Sequence, residues 1–183
     1  ASRVIPNSGV ISAELYGSSF VKANAGTVVL SAFNLFTGGA TLSAGKVEVA
    51  NEFAFGSLAT QTLTLAGGAL SSASASSYVL PNNVTLTANA TLGDAVKNGL
   101  VTFAGTTDLG GVARTLTVDS GIVFRGQVSG AGGITKAGAG VLTLGGANTF
   151  SGGTIVNAGR LRVGNNAALG TGGLTLNTGS AFS

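Results

Sequence analysis

The chain has 183 residues, only 8% of them charged, and nine basic against six acidic residues leave a net charge of +3. It contains no cysteine and no histidine. That excludes disulfides, thiolate metal sites and the Ser-His-Asp triad, and removes the commonest general base and metal ligand.

An ordinary soluble domain has about 25% charged residues. Here low charge accompanies 44% apolar residues, so the chain has enough apolar surface to fold. No run approaches the roughly 20 apolar residues of a membrane-spanning helix, and the 31 glycines interrupt every helical candidate. The basic residues stand apart except Arg160 and Arg162. The high isoelectric point therefore reflects scarce acids, and neither a nucleic-acid partner nor membrane insertion is expected of this segment.

In chain order, short apolar–polar alternations recur: TVVLSA (27–32), KVEVAN (46–51), QTLTLAG (61–67), NVTLTA (83–88), LVTFAG (100–105), RTLTVDSG (114–121), VLTLGG (141–146), RLRVGN (160–165) and LTLN (174–177). Period two over such lengths predicts strands with one buried face. Val47 with Val49, Leu63 with Leu65, Leu142 with Leu144 and Leu161 with Val163 are expected inside. Glu48, Thr64, Thr143 and Arg162 are expected outside. Many short strands with glycine-rich turns leave a sandwich, a barrel or a solenoid.

Internal repetition favours the solenoid. Residues 22–56 align without a gap on 136–170 at a constant offset of 114, and 71–125 reads as degenerate coils of the same chemistry. The identities include Lys22/Lys136, Gly26/Gly140, Asn34/Asn148, Phe36/Phe150, Gly38-Gly39/Gly152-Gly153 and Gly45/Gly159. These are turn and interior positions, which a stacked backbone path requires. At about 20 residues per coil the chain makes roughly eight or nine coils, a rod near ~40 Å long at strand spacing. All 183 residues then form one solenoid domain or segment. The last coil, GLTLNTGSAFS, reads as uncapped, and open edges invite pairing with another chain.

The stretch GGITKAGAGVLTLGGANTFSGGTIVNAGRLRVGN (132–165) resembles the autotransporter-associated β-strand repeat of bacterial autotransporter passengers. The copy from Lys22 is a weaker match, with Asn24 for a glycine and Ala40 for a threonine, and residues 1–20 are not assigned by it. The resemblance implies a right-handed parallel β-helix displayed outside the outer membrane, extracellular or at the cell surface, acting as a stalk or adhesive surface and not as a catalyst. The translocating C-terminal barrel of such proteins is not expected here, because no strands of about ten residues with an aromatic girdle occur.

No catalytic, cofactor or metal site is expected. Lys136 precedes its glycines and no G-K-[ST] occurs, so it does not make a phosphate loop; it is expected on the outward face with its stem over the coil below. Asp119-Ser120-Gly121 lacks a histidine and reads as a turn. Asp94, Asp108 and Asp119 are too scattered for repeated calcium sites. Glu48 and Glu52 align with Arg162 and Asn166 in the other copy, a substitution pattern that suits exposed variable positions. Phe36 and Phe150 are expected to stack across coils. Asn34, Asn51, Asn148 and Asn165 are expected at turns, bonding between coils. The structural set is thus Gly26, Asn34, Phe36, Gly38, Gly39, Gly45, Gly140, Asn148, Phe150, Gly152, Gly153 and Gly159. The expected function is a non-enzymatic rigid stalk that associates with itself, with neighbouring coils or with a host or matrix surface. The alternatives are a virion or filament component and a glycan-processing β-helix enzyme.

Overall fold

The computed structural model of the chain describes residues 3–4, 8–58 and 60–183. Among the described residues every regular element is a β-strand, and every strand pairing is parallel. The strands stack into a parallel β-solenoid of about nine turns. Three sheets form its sides, and the nine-stranded one runs furthest along it. The first is a seven-stranded sheet that starts at Arg3–Val4 and includes Phe20–Lys22, Ala40–Leu42, Leu63–Leu65 and Val84–Leu86. The second is a nine-stranded sheet through Gly9–Ile11, Thr27–Leu30, Lys46–Val49, Ala69–Ser72, Ala90–Leu92, Arg114–Val118, Ile134–Ala137, Thr154–Val156 and Leu174–Leu176. The third is a six-stranded sheet from Tyr78–Leu80 to Ser180–Phe182, preceded by the pair Tyr16–Gly17 and Leu35–Phe36.

The inward residues form columns along the axis. Val28, Val47, Leu70, Leu92 and Val118 stand in register on the nine-stranded side. Leu42, Leu65 and Leu86 do so on the seven-stranded side. Leu80, Phe103, Phe124 and Leu144 line the third side. All are buried, and each such side chain contributes about 1.5–3 kcal/mol on leaving water. Phe103 stacks on Phe124 with centroids 5.1 Å apart. Phe20 touches Phe36 at 5.7 Å and Phe55 at 6.1 Å, closing the interior of the early coils. The expected inward pairs are inside: Val47, Val49, Leu63, Leu65, Leu142, Leu144 and Leu161 are buried and Val163 is half-buried.

On the nine-stranded side the strands begin at residues 9, 27, 46, 69, 90, 114, 134, 154 and 174. Paired residues on neighbouring strands show that coils are 19 to 26 residues long and settle at 20 in the last three. At a strand separation of about 4.8 Å the stack spans ~40 Å. Sequence alignment alone hides one feature. Lys22 ends a strand of the seven-stranded side, whereas Lys136 lies on the nine-stranded side. The offset of 114 residues equals five coils plus one side, so the second copy is rotated by a third of a turn about the axis. The sides are similar modules of a short strand and a corner, and the motif starts on the seven-stranded side in one copy and on the nine-stranded side in the other.

Candidate functional site

Lys136 departs most from expectation. It follows Thr135 in the alternation, so it shares parity with Ile134 and points inward. It stands in register between Leu116 and Val156 and is fully buried. Its Nζ donates to the carbonyls of Gly138 at 2.8 Å, Ala158 at 2.9 Å and Ala137 at 3.2 Å, so the ammonium ties its own corner to the next coil. Lys22 repeats this. It is buried in register with Leu42, and its Nζ donates to Asn24 O and to Ala25 O at 3.3 Å. The expected outward, solvated lysine is thus wrong for both copies. Burial lowers the pKa of Lys22 and brings that of Lys136 down to about 8, against the pull of Asp119. The sequence carried the signal: Phe20 and Lys22, like Ile134 and Lys136, occupy the same parity.

Gly45 and Gly159 lie over these ammonium groups. Both have positive φ, 64° and 67°. A Cβ would stand 2.6 Å from Lys22 Nζ at Gly45 and 2.7 Å from Lys136 Nζ at Gly159, and within 2.5 Å of a backbone carbonyl oxygen in each case. The other glycines of the set lie where coils approach: a Cβ would meet Ser18 O at Gly38, Thr62 O at Gly39, Ser120 O at Gly140, Gly133 N at Gly152 and Gly173 O at Gly153, all under 3.0 Å. Gly26 turns a corner with φ 90°.

The asparagines divide by role. Asn34 accepts from Leu15 N at 2.9 Å and donates to Ala54 O at 2.7 Å, bridging the coils on either side. Asn148 does the same with Val128 N at 2.7 Å and Ala168 O at 2.5 Å. Both are buried, as are Phe36 and Phe150. Asn51 and Asn165 instead accept from Phe53 N and Ala167 N within their own turns. Asn82, which the repeat alignment did not single out, is also buried and donates to Phe55 O at 3.1 Å and Gln61 O at 3.0 Å.

A strap at Gly93–Gly99 has no counterpart in the sequence reading. Asp94 Oδ1 accepts from Val96 N and Lys97 N at 2.9 Å each, and Asn98 closes the turn at φ 50°. Ser120 Oγ ties the end of the strap by donating to Gly99 O at 2.9 Å. That gives the Asp-Ser-Gly stretch a structural use. The strap completes an ion cluster. Lys46 Nζ lies 3.0 Å from Glu48 Oε1 and also pairs with Asp94, while Lys97 pairs with Glu48. Glu48 is therefore only 4% exposed, not the exposed variable position expected from the alternation. Lys46 and the hydrogen bond from Lys97 N pull the Asp94 carboxyl down to about 2. Burial pulls Lys46 down, but its hydrogen bonds to Asp94 and Glu48 outweigh that and leave it raised.

The outer surface carries few constellations. Among the described residues no group of three or more His, Cys, Asp and Glu could hold a metal ion. A shallow hollow of about 300 Å³ on the early third side is lined by Leu35, Thr37, Ser57, Leu58 and Gln61. Tyr16 stands in register with Leu35, and its hydrogen bond to Glu14 raises its pKa. Phe33 and Phe53 pack against each other at 5.1 Å, half-buried. Glu52 is exposed and apart from Glu48's cluster. The seven-stranded side shows an outward column of Val21, Thr41, Thr64, Thr85, Asp108 and Ser129, with one charge in six positions.

A family model described as the passenger-associated-transport repeat matches residues 20–49 and 134–163, again 114 residues apart. The adhesin BmaC autotransporter of Brucella suis biovar 1 (strain 1330) is 44% identical over 89 residues, which cover 44% of this chain. The chain spans about 3% of the length of that relative. No solved structure matches it. Both matched stretches close on the same buried lysine, bridging asparagine and corner glycine, and the chain carries two copies of the repeat found in autotransporter passengers.

Proposed function

We propose that this chain is a stretch of a surface-displayed autotransporter passenger, serving as a rigid, non-enzymatic stalk with an adhesive flank. The observation that carries the reading is the duplicated interior. Both copies place a lysine on corner carbonyls and an asparagine between coils. Such fittings stiffen a stack of coils, because each satisfies buried backbone groups that a coil cannot satisfy alone. The adhesin among the relatives supports a contact role at the cell surface.

Self-association fits the weakly charged seven-stranded side. Its outward hydroxyls repeat at strand spacing, about 4.8 Å, so two copies can face each other without like-charge repulsion. The test is display of this segment in place of the passenger on a barrel-anchored carrier in a non-adherent bacterium. Cell settling and attachment to cultured cells or matrix are expected to rise over the carrier alone. No gain in either, with the segment shown at the surface, overturns the adhesive reading. A trimer in sedimentation velocity would favour a fibre component instead, and turnover of a polysaccharide would favour an enzyme.

A further inference from the structure

We infer that the outer face of the third side, around the second repeat, binds a linear anionic polysaccharide through Arg125, Arg160 and Arg162. The inference rests on the surface reading above. Residues 1–92 hold three basic residues (Arg3, Lys22, Lys46) and three acidic ones (Glu14, Glu48, Glu52), a net of zero. Residues 93–183 hold six basic (Lys97, Arg114, Arg125, Lys136, Arg160, Arg162) and three acidic (Asp94, Asp108, Asp119), so the whole +3 lies there. Lys136 is buried on carbonyls and Lys97 is paired with Glu48. Arg125, Arg160 and Arg162 are exposed, and no ion pair or side-chain hydrogen bond engages any of them among the described residues.

The register gathers them on one face. Arg160 aligns with Val141, and Arg162 with Thr143 and Val123. Arg160 and Arg162 flank the inward Leu161, so both point outward about 7 Å apart. Arg125 follows the inward Phe124 two strands away, roughly 10 Å along the axis. The next two coils carry Gly145 and Gly164 at its level, directly after Leu144 and Val163, which leaves an open track beside the guanidinium. No strand of the six-stranded sheet contains a carboxylate. The nearest acid in sequence, Asp119, sits at the corner beside Gly138.

Three unneutralised forks on a flat, carboxylate-free sheet suit sulfate or carboxylate groups spaced along an extended chain, since guanidinium binds such groups through two parallel hydrogen bonds. Thr143 supplies a hydroxyl between the arginines for sugar hydroxyls. The strands of this face that carry the arginines have no aromatic side chain directed outward on which bases could stack, which argues against single-stranded nucleic acid. Its exposed large apolar side chain is Phe182, on the last strand, and one such side chain is too little apolar surface to insert into a bilayer, which argues against a lipid surface.

The experiment uses the 183-residue chain and immobilised dextran sulfate and heparin, with duplex DNA and anionic phosphatidylserine vesicles as comparators. Retention on the sulfated glycans that weakens as salt rises is expected. The triple variant Arg125→Gln, Arg160→Gln, Arg162→Gln, with an unchanged circular dichroism spectrum and melting temperature, is expected to bind on the order of tenfold more weakly or worse. Adding Thr41→Lys, Thr64→Lys and Thr85→Lys to that variant restores the net charge on the seven-stranded face and is expected not to restore binding. No retention of the wild-type chain, equal binding by the triple variant, rescue by the relocated lysines, or equal affinity for DNA or vesicles each overturns the inference. If the wild-type chain ignores sulfated glycans yet still confers attachment when displayed, only this inference fails. If it binds them yet confers no attachment, only the adhesive reading fails.

Discussion

The two repeat copies agree inside and disagree outside. Lys22 and Lys136 cap corner carbonyls, Asn34 and Asn148 bridge the coils above and below, and Gly45 and Gly159 cover the ammonium groups. At the next outward positions the copies part. Lys46 and Glu48 are drawn into an ion cluster under the strap. Their equivalents, Arg160 and Arg162, are exposed on a different side of the solenoid. A stacked coil constrains what faces its axis and its neighbours, because a misfit there leaves voids or unpaired polar groups. It constrains little of what faces water. The rotation by one side widens the difference, since the strap at Gly93–Gly99 reaches only the first copy.

The interior equivalence can be broken most sharply at the corner glycines. Gly45→Val and Gly159→Val each force a β-branched residue into positive φ and against carbonyl oxygens about 2.5 Å away. Each is expected to cost about 3 kcal/mol or more, by a similar amount in the two copies, in urea unfolding. Gly153→Val, with φ 78° and Gly173 O 2.9 Å from a Cβ, belongs to the same class with a smaller clash. Unchanged unfolding would contradict the close approach of neighbouring coils at these corners.

Asn148→Leu and Asn34→Leu come next. Each strips one donor and one acceptor from buried backbone groups on either side, which costs roughly 2–4 kcal/mol. Matching losses support a shared role, and a loss confined to one copy would show that the equivalence is only geometric.

The lysines give a pH signature. Between about pH 8 and 10.5 the folded chain has released the Lys136 proton while the unfolded chain still holds it. The unfolded state then binds more protons, so stability rises with pH across that window, by about 1–3 kcal/mol. Subtracting the profile of Lys136→Met isolates the effect. A difference that falls with pH would mean that the carbonyls, not burial, dominate the ammonium.

The ion cluster has the opposite limit. Asp94 is held at about 2 against an ordinary 3.8. Its contribution is present above pH 3.8 and lost as pH falls through about 2. With the strap partly exposed, Asp94→Asn is expected to cost about 1 kcal/mol at neutral pH. Hydrogen exchange should quicken at residues 93–99 and leave the second repeat unchanged. Smallest of all, Arg162→Gln is expected to shift stability by under about 0.5 kcal/mol, even though Lys97→Gln at the first copy's cluster leaves the buried Glu48 with one partner fewer.

Much of this was legible in the chain. Alternation placed Leu142, Leu144, Val47 and Leu63 in the core, because period two and an axis-facing side leave no other home for them. The 114-residue offset announced stacking, and the motif announced passenger repeats. Parity with Phe20 and Ile134 marked Lys22 and Lys136 as inward, but their charge led to the opposite expectation, a lysine on the outward face, which their burial overturns. The burial of Glu48 was not legible. It depends on Lys97, 49 residues away, arriving on a strap whose path follows from how many residues each intervening coil consumes. Nor was the one-side rotation of the second copy, since coils of 19 to 26 residues accumulate a phase that no local pattern records. Local sequence sets which way each side chain points, because that is fixed by the pleat. Only the stacked structure decides which distant residues share a face, because that depends on the summed lengths of all the turns between them.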